Sequence, residues 1–90
     1  MKMKQVFEGY GGDPDTAIFN AVKALAKEKG LSVDTRESGE PEYDSGDDNV
    51  LYFSTVEVLS GKVYLLSGAV ERQKDVWCAT ISNFEAVETC

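Results

Sequence analysis

The sequence predicts an α+β fold: a mainly antiparallel sheet with one helix packed on one face, in the order β-α-β-β-β-β. Three observations carry this. One segment has every mark of a helix, almost everything after it reads as strand, and the residues between the strands are those of tight turns. At 90 residues the chain is expected to form a single domain, 1–90, around one modest core.

The helix is DPDTAIFNAVKALAKEKG, residues 13–30. Asp13 can cap the free N–H groups of the first turn, and Pro14 takes the first position, where a missing N–H costs nothing. Asp15 lies at the positive end of the dipole, and Lys23, Lys27 and Lys29 crowd the negative end. Gly30 suits the left-handed residue that closes such helices. Ile18, Ala21, Val22 and Leu25, widened by Phe19 and Ala26, form a stripe; Asn20, Lys23, Lys27 and Glu28 fall opposite. A helix over 14–29 that is apolar on one side lies on a sheet.

Ahead of it, residues 3–9 read as a first strand with Val6 and Phe7 as its apolar pair. Gly9-Tyr10-Gly11-Gly12 reads as a turn whose glycines serve left-handed positions. The turn lacks the spacing of a P-loop or a dinucleotide fingerprint, and Asp13 and Asp15 would repel an anion. Past the helix, residues 31–37 (LSVDTRE) alternate like a half-buried strand. Residues 50–59 form the next, and Ser60-Gly61 signals a hairpin. A strand over 62–72, a turn at Gln73-Lys74 and a strand over 75–82 follow, with Gly68 marking a bulge or a close backbone contact. The tail S-N-F-E, 82–85, fits a capping box or a strand continued past a bulge, and the strand is preferred.

The net charge of −7 is unevenly distributed. Segment 37–48 (ESGEPEYDSGDD) holds six of the sixteen acidic residues and no basic one, leaving ten acids against nine bases elsewhere. With Gly39, Pro41, Ser45 and Gly46 it reads as an acidic loop. A solvated loop is the first reading, an anionic surface for a basic partner the second, and a cation site the third. The spacing is not that of an EF-hand.

The chain has no histidine, which removes Ser-His-Asp and Cys-His catalysis, a histidine base and the usual zinc sites. Of the two cysteines, Cys78 reads as a small buried hydrophobe and Cys90 as an exposed thiol. No cofactor and no metal site is implied. No apolar run approaches a membrane span, and the first residues lack the apolar stretch of a signal peptide, so a cytoplasmic protein is expected.

Alternation makes both sheet faces apolar. Val50, Tyr52, Val56 and Val58 point one way and Leu51, Phe53 and Leu59 the other; Val63, Leu65 and Ala69 oppose Tyr64, Leu66 and Val70. Trp77, Ala79 and Ile81 likewise oppose Val76 and Cys78. One helix about 24 Å long covers part of one face, so self-association as a homodimer is expected.

The order strand–helix–four strands resembles the cystatin-like arrangement, an antiparallel sheet wrapped around one helix. Glu57-Val58-Leu59-Ser60-Gly61 sits at a hairpin as the Q-x-V-x-G loop of cystatins does, but with the glutamine and central valine replaced, one strand later, and with no Pro-Trp pair following. The strand–helix–two-strand beginning is similar to that of dodecins, without their flavin-stacking tryptophan near 31–36. Both likenesses are of architecture, which does not fix function.

The function expected from these features is a small, acidic, non-enzymatic binding or regulatory module that acts through protein–protein contact. Tyr52, Tyr64 and Trp77 are the candidate contact residues, and Asp44, Asp47 and Asp48 the steering charges. The alternative is a carrier of a small apolar ligand, or a carboxylate-based enzyme, with its site between helix and sheet or at a dimer interface. Glu57 is then the acid, its pKa raised by burial; a solvent-facing or edge position is the simpler account of it. A third reading is an acidic inhibitor of a nucleic-acid-binding protein, of the phage or mobile-element type. Direct binding of nucleic acid or membrane is not expected.

Overall fold

A computed structural model describes residues 7–33, 41–46 and 49–87. It shows the α+β arrangement: one helix against a five-strand antiparallel sheet of order β1-β5-β4-β3-β2. The elements are β1 (Phe7–Gly11), α1 (Pro14–Glu28), β2 (Glu42–Gly46), β3 (Val50–Leu59), β4 (Lys62–Gln73) and β5 (Val76–Ala86).

The helix begins and ends where its sequence says. The Asp13 carboxylate accepts from the Thr16 N–H at 2.8 Å and from the Thr16 hydroxyl at 3.1 Å. Those bonds hold the Asp13 carboxyl below the usual aspartate range. At the other end the Gly30 N–H reaches Lys27 O and the Leu31 N–H reaches Ala26 O, with Gly30 at φ +70°. That pair of bonds is a Schellman closure around a left-handed glycine. Ala17, Ile18, Ala21, Val22, Leu25 and Ala26 are buried against Phe53, Leu59, Leu66, Val70, Ala79 and Ile81 of the sheet.

Both long hairpins turn on two residues. Ser60 and Gly61 have φ of 51° and 81°, the twist that suits a right-twisted ribbon, and Leu59 pairs with Lys62 across them. Gln73 pairs with Val76 across Lys74-Asp75, so that turn lies one residue later than the sequence suggests, with Lys74 at φ 59°. The register slips between Ser67 and Gly68, opposite Ser82-Asn83. This bulge lets Ile81 and Phe84, three apart, both pack toward the helix, and β5 runs on as strand to Ala86.

Three expectations need correction. The described first strand runs Phe7–Gly11, so Gly9-Tyr10-Gly11 is strand and no turn. Its glycines serve proximity: a Cβ on Gly9 would overlap Ala21 N and Ala17 O of the helix backbone. Small residues on both sides let strand and helix touch, and the Asn20 amide crosses the contact to donate to Tyr10 O at 2.6 Å. Residues 3–6 of the expected strand lie outside the described residues.

The expected strand over 31–37 reduces, among the described residues, to a single bridge between Val33 and Leu59, with the Ser60 N–H donating to Ser32 O. Residues 34–40 lie outside the described residues.

Finally, the acidic loop is strand where it is described. Glu42–Gly46 pairs antiparallel with β3, Glu42 opposite Ser54 and Tyr43 opposite Phe53. The missed signal is Tyr43, whose hydroxyl donates to the Asp15 carboxylate in the first turn of α1. Burial and that carboxylate raise its phenol pKa, so the tie is complete at neutral pH and is lost as pH rises through the raised native value. Tyr43→Phe is expected to speed amide hydrogen exchange across Glu42–Gly46 while the middle of α1 keeps its protection. Unchanged exchange in the edge strand would show that the bond holds nothing.

Candidate functional site

The helix packs on one face of the sheet, against β1, β5 and β4, and among the described residues no element packs on the other. Strand register sorts the residues. Leu51, Phe53, Thr55, Glu57 and Leu59 of β3 share the helix side with Tyr64, Leu66, Val70, Trp77, Ala79 and Ile81. Tyr52, Ser54, Val56 and Val58 share the open side with Val63, Leu65, Ser67, Ala69, Cys78 and Thr80.

The contact residues expected from sequence divide between these faces. Tyr52 stands on the open face and is 56% exposed. Tyr64 and Trp77 are half-buried on the helix side, packed against the core. Tyr64 stacks on Phe84 with ring centroids 4.7 Å apart, and the Lys29 ammonium lies 5.3 Å from the Phe84 ring on the same assembly. Asp44 is on β2 and lines the open face, while Asp47 and Asp48 lie outside the described residues.

Glu57 is 4% exposed, so its strand position is neither solvent-facing nor bland. The Thr55 hydroxyl, also buried, donates to its carboxylate at 2.7 Å. The space between helix and sheet is filled by Ile18, Val22, Leu25, Leu59 and Leu66, each at most 1% exposed.

The concavity lies on the other side. A trough of about 460 Å³ crosses the open face, floored by Ser54, Ser67, Ala69 and Thr80 and bordered by Tyr52, Asp44 and Asn83. The bulge shapes one end of it: Asn83 Nδ2 donates to Ser67 Oγ at 3.2 Å, and the Ser82 hydroxyl to Ser67 O at 3.4 Å. Beside the trough runs the cross-strand apolar pair Val56–Leu65, 45% and 39% exposed, followed by Val58–Val63, in which Val58 is buried and Val63 half-buried. Sequence reasoning found Tyr52 and Val56 but missed the trough. Alternation puts Ser54 with Tyr52, Ser67 with Leu65 and Thr80 with Cys78, but only the register brings the three together.

At the β1 edge of this face, Tyr10 donates to Glu8 at 3.2 Å, and the Cys78 thiol lies 3.7 Å from the same carboxylate. Burial pushes the Cys78 thiol pKa up, and the Glu8 charge adds to the rise. The Tyr10 phenol is raised by Cys78 first and by Glu8 second. Both groups stay neutral near pH 7, and a neutral thiol is a poor nucleophile. Among the described residues no three carboxylates or thiols gather closely enough to hold a metal ion. No described helix is long and apolar enough to cross a membrane.

Comparisons with known proteins give no lead: no family model matches the chain, and no curated protein or solved structure matches it.

Proposed function

We propose that this chain is a small non-enzymatic binding module that works by protein–protein contact through the open face of its sheet. The observation that carries the reading is the placement of Tyr52, Val56 and Leu65, all exposed on the face the helix leaves bare. Three long strands and two short ones present a projected area of roughly 600 Å², near the lower end of what one partner buries in a standard interface. The aromatic ring beside a trough is the kind of anchor that dominates such contacts.

The test is site-specific photo-cross-linking in the source cell. A photoreactive phenylalanine analogue replaces Tyr52 in one sample and the exposed Ala24 of the helix in another. A defined adduct from position 52 that disappears when Leu65→Arg is added supports the reading. Equal yields from positions 52 and 24 overturn it.

Self-association is the second reading, favoured by the exposed apolar pair Val56–Leu65, which a twofold axis would bring against its own copy. Sedimentation of reduced protein tests it, and Leu65→Arg should shift any dimer to monomer.

A further inference from the structure

The open face has a charge pattern that selects among partners. Register places Glu42 of β2, Glu71 of β4, Glu85 of β5 and Glu8 of β1 on the open side: Glu42 opposite Ser54, Glu71 opposite Val50 and Cys78, Glu85 opposite Leu65, and Glu8 opposite Thr80. All are exposed. Among the described residues no lysine or arginine shares that face. Lys23 and Lys27 are on the exposed side of α1, Lys62 and Lys74 are at the hairpin turns, and Arg72 pairs with Trp77 on the helix side.

We propose that the occupant of the open face is a basic segment of a partner protein: apolar side chains on Val56, Leu65 and Tyr52, flanked by lysines or arginines that meet the acidic residues. The inference rests on the binding-module reading and names the chemistry of the partner. A metal ion or small cation does not suit the pattern, because the acids are spread over the sheet. Strands about 4.8 Å apart put Glu8 and Glu42, at opposite edges, roughly 19 Å from each other. Nucleic acid and anionic lipid carry the wrong sign. A second copy laid face to face would set Glu8, Glu71 and Glu85 against like charges, with no base among the described residues of the face to offset them. A cationic segment with an apolar side satisfies both the exposed carbon and the charge.

The probe is a 15-residue peptide of lysine and leucine with every leucine on one helical side, titrated into the full chain and followed by amide NMR shifts at about 0.15 M salt. A control peptide carries glutamate in place of each lysine. Saturable shifts at Tyr52, Leu65, Ala69 and Thr80 are expected with the lysine peptide and none with the control. Glu71→Lys combined with Glu85→Lys should weaken binding by about tenfold or more, and Glu71→Gln with Glu85→Gln by less, in the order that charge dictates. Glu28→Lys on the helix should change it less than about twofold.

Shifts confined to the helix side, equal binding of both peptides, or indifference to the double reversal would each overturn the proposal, as would a dimer strengthened by that reversal. Cross-links from position 52 that survive the double reversal would leave the face in use and remove the basic partner. Absence of both cross-links and shifts would remove the two readings together.

Discussion

Replacing Gly9 with alanine is expected to destabilise the fold by about 3 kcal/mol or more, the upper range for overpacking a close contact. The added Cβ would meet Ala21 N, Ala17 O and Asn20 C, all backbone atoms of α1. A side chain can rotate away, whereas a helix backbone must move as a body. Moving it would separate α1 from β1 and open the layer held by Ile18, Val22 and Leu25. Trimming the helix side chains should not rescue the loss, so Gly9→Ala with Ala21→Gly stays unstable. Gly12→Ala is the control: nothing lies within 4 Å of a Cβ there, and the change should stay within about 0.5 kcal/mol. Urea unfolding of the variants decides it. A Gly9→Ala protein within about 1 kcal/mol of the parent would mean that β1 does not sit on the helix as described.

Gly68→Ala is the second large effect, and its cause lies within the sheet. A Cβ at Gly68 would run into the Thr80 carbonyl and approach the Ile81 backbone, where β5 bulges at Ser82-Asn83. The obstruction is again backbone, and the expected loss is on the order of 3 kcal/mol. Relieving it means sliding β4 past β5, which would turn Phe84 and Tyr64 away from their shared stack. The variant should therefore lose the Tyr64–Phe84 ring contacts seen by NMR along with its stability. Loss of neither would show that the bulge is tolerant and that the glycine is incidental.

Much of this fold could be read from the chain because its signals were local. Asp13, Pro14 and Gly30 act within one turn of themselves, and Ser60-Gly61 specifies its hairpin without help from elsewhere. The misreadings came where meaning depends on a distant neighbour. Gly9 and Gly11 look like turn residues until Ala17 and Ala21 are set against them, and only then does small against small become a packing signal. Glu42 and Asp44 sit among turn residues, and what makes them strand is the reach of Tyr43 to Asp15 across the tertiary structure.

The open face was partly legible. Tyr52 and Val56 followed from alternation, but Tyr64 and Trp77 read equally well as interface or core until register put them on the helix side. Charge was the least visible feature. Outside the acidic segment the acids and bases nearly balance, and a sum along the chain cannot show that Glu8, Glu71 and Glu85 fall on one face while the described bases lie elsewhere. That sorting exists only once four strands are in register.

The pairing of β1 with β5 bears on how the molecule is made. The first strand has no neighbour in the sheet other than the last, and α1 packs across β1, β4 and β5. As the chain leaves the ribosome, β1 and α1 emerge early with no sheet to dock on, and the β3–β4 hairpin has to wait for its other neighbour. Only when β5 is synthesised do both halves gain their common partner, so folding is held to a late, all-or-none closure. Until then α1 has β1 to pack against but neither β4 nor β5. Among the described strands, β5 is the keystone.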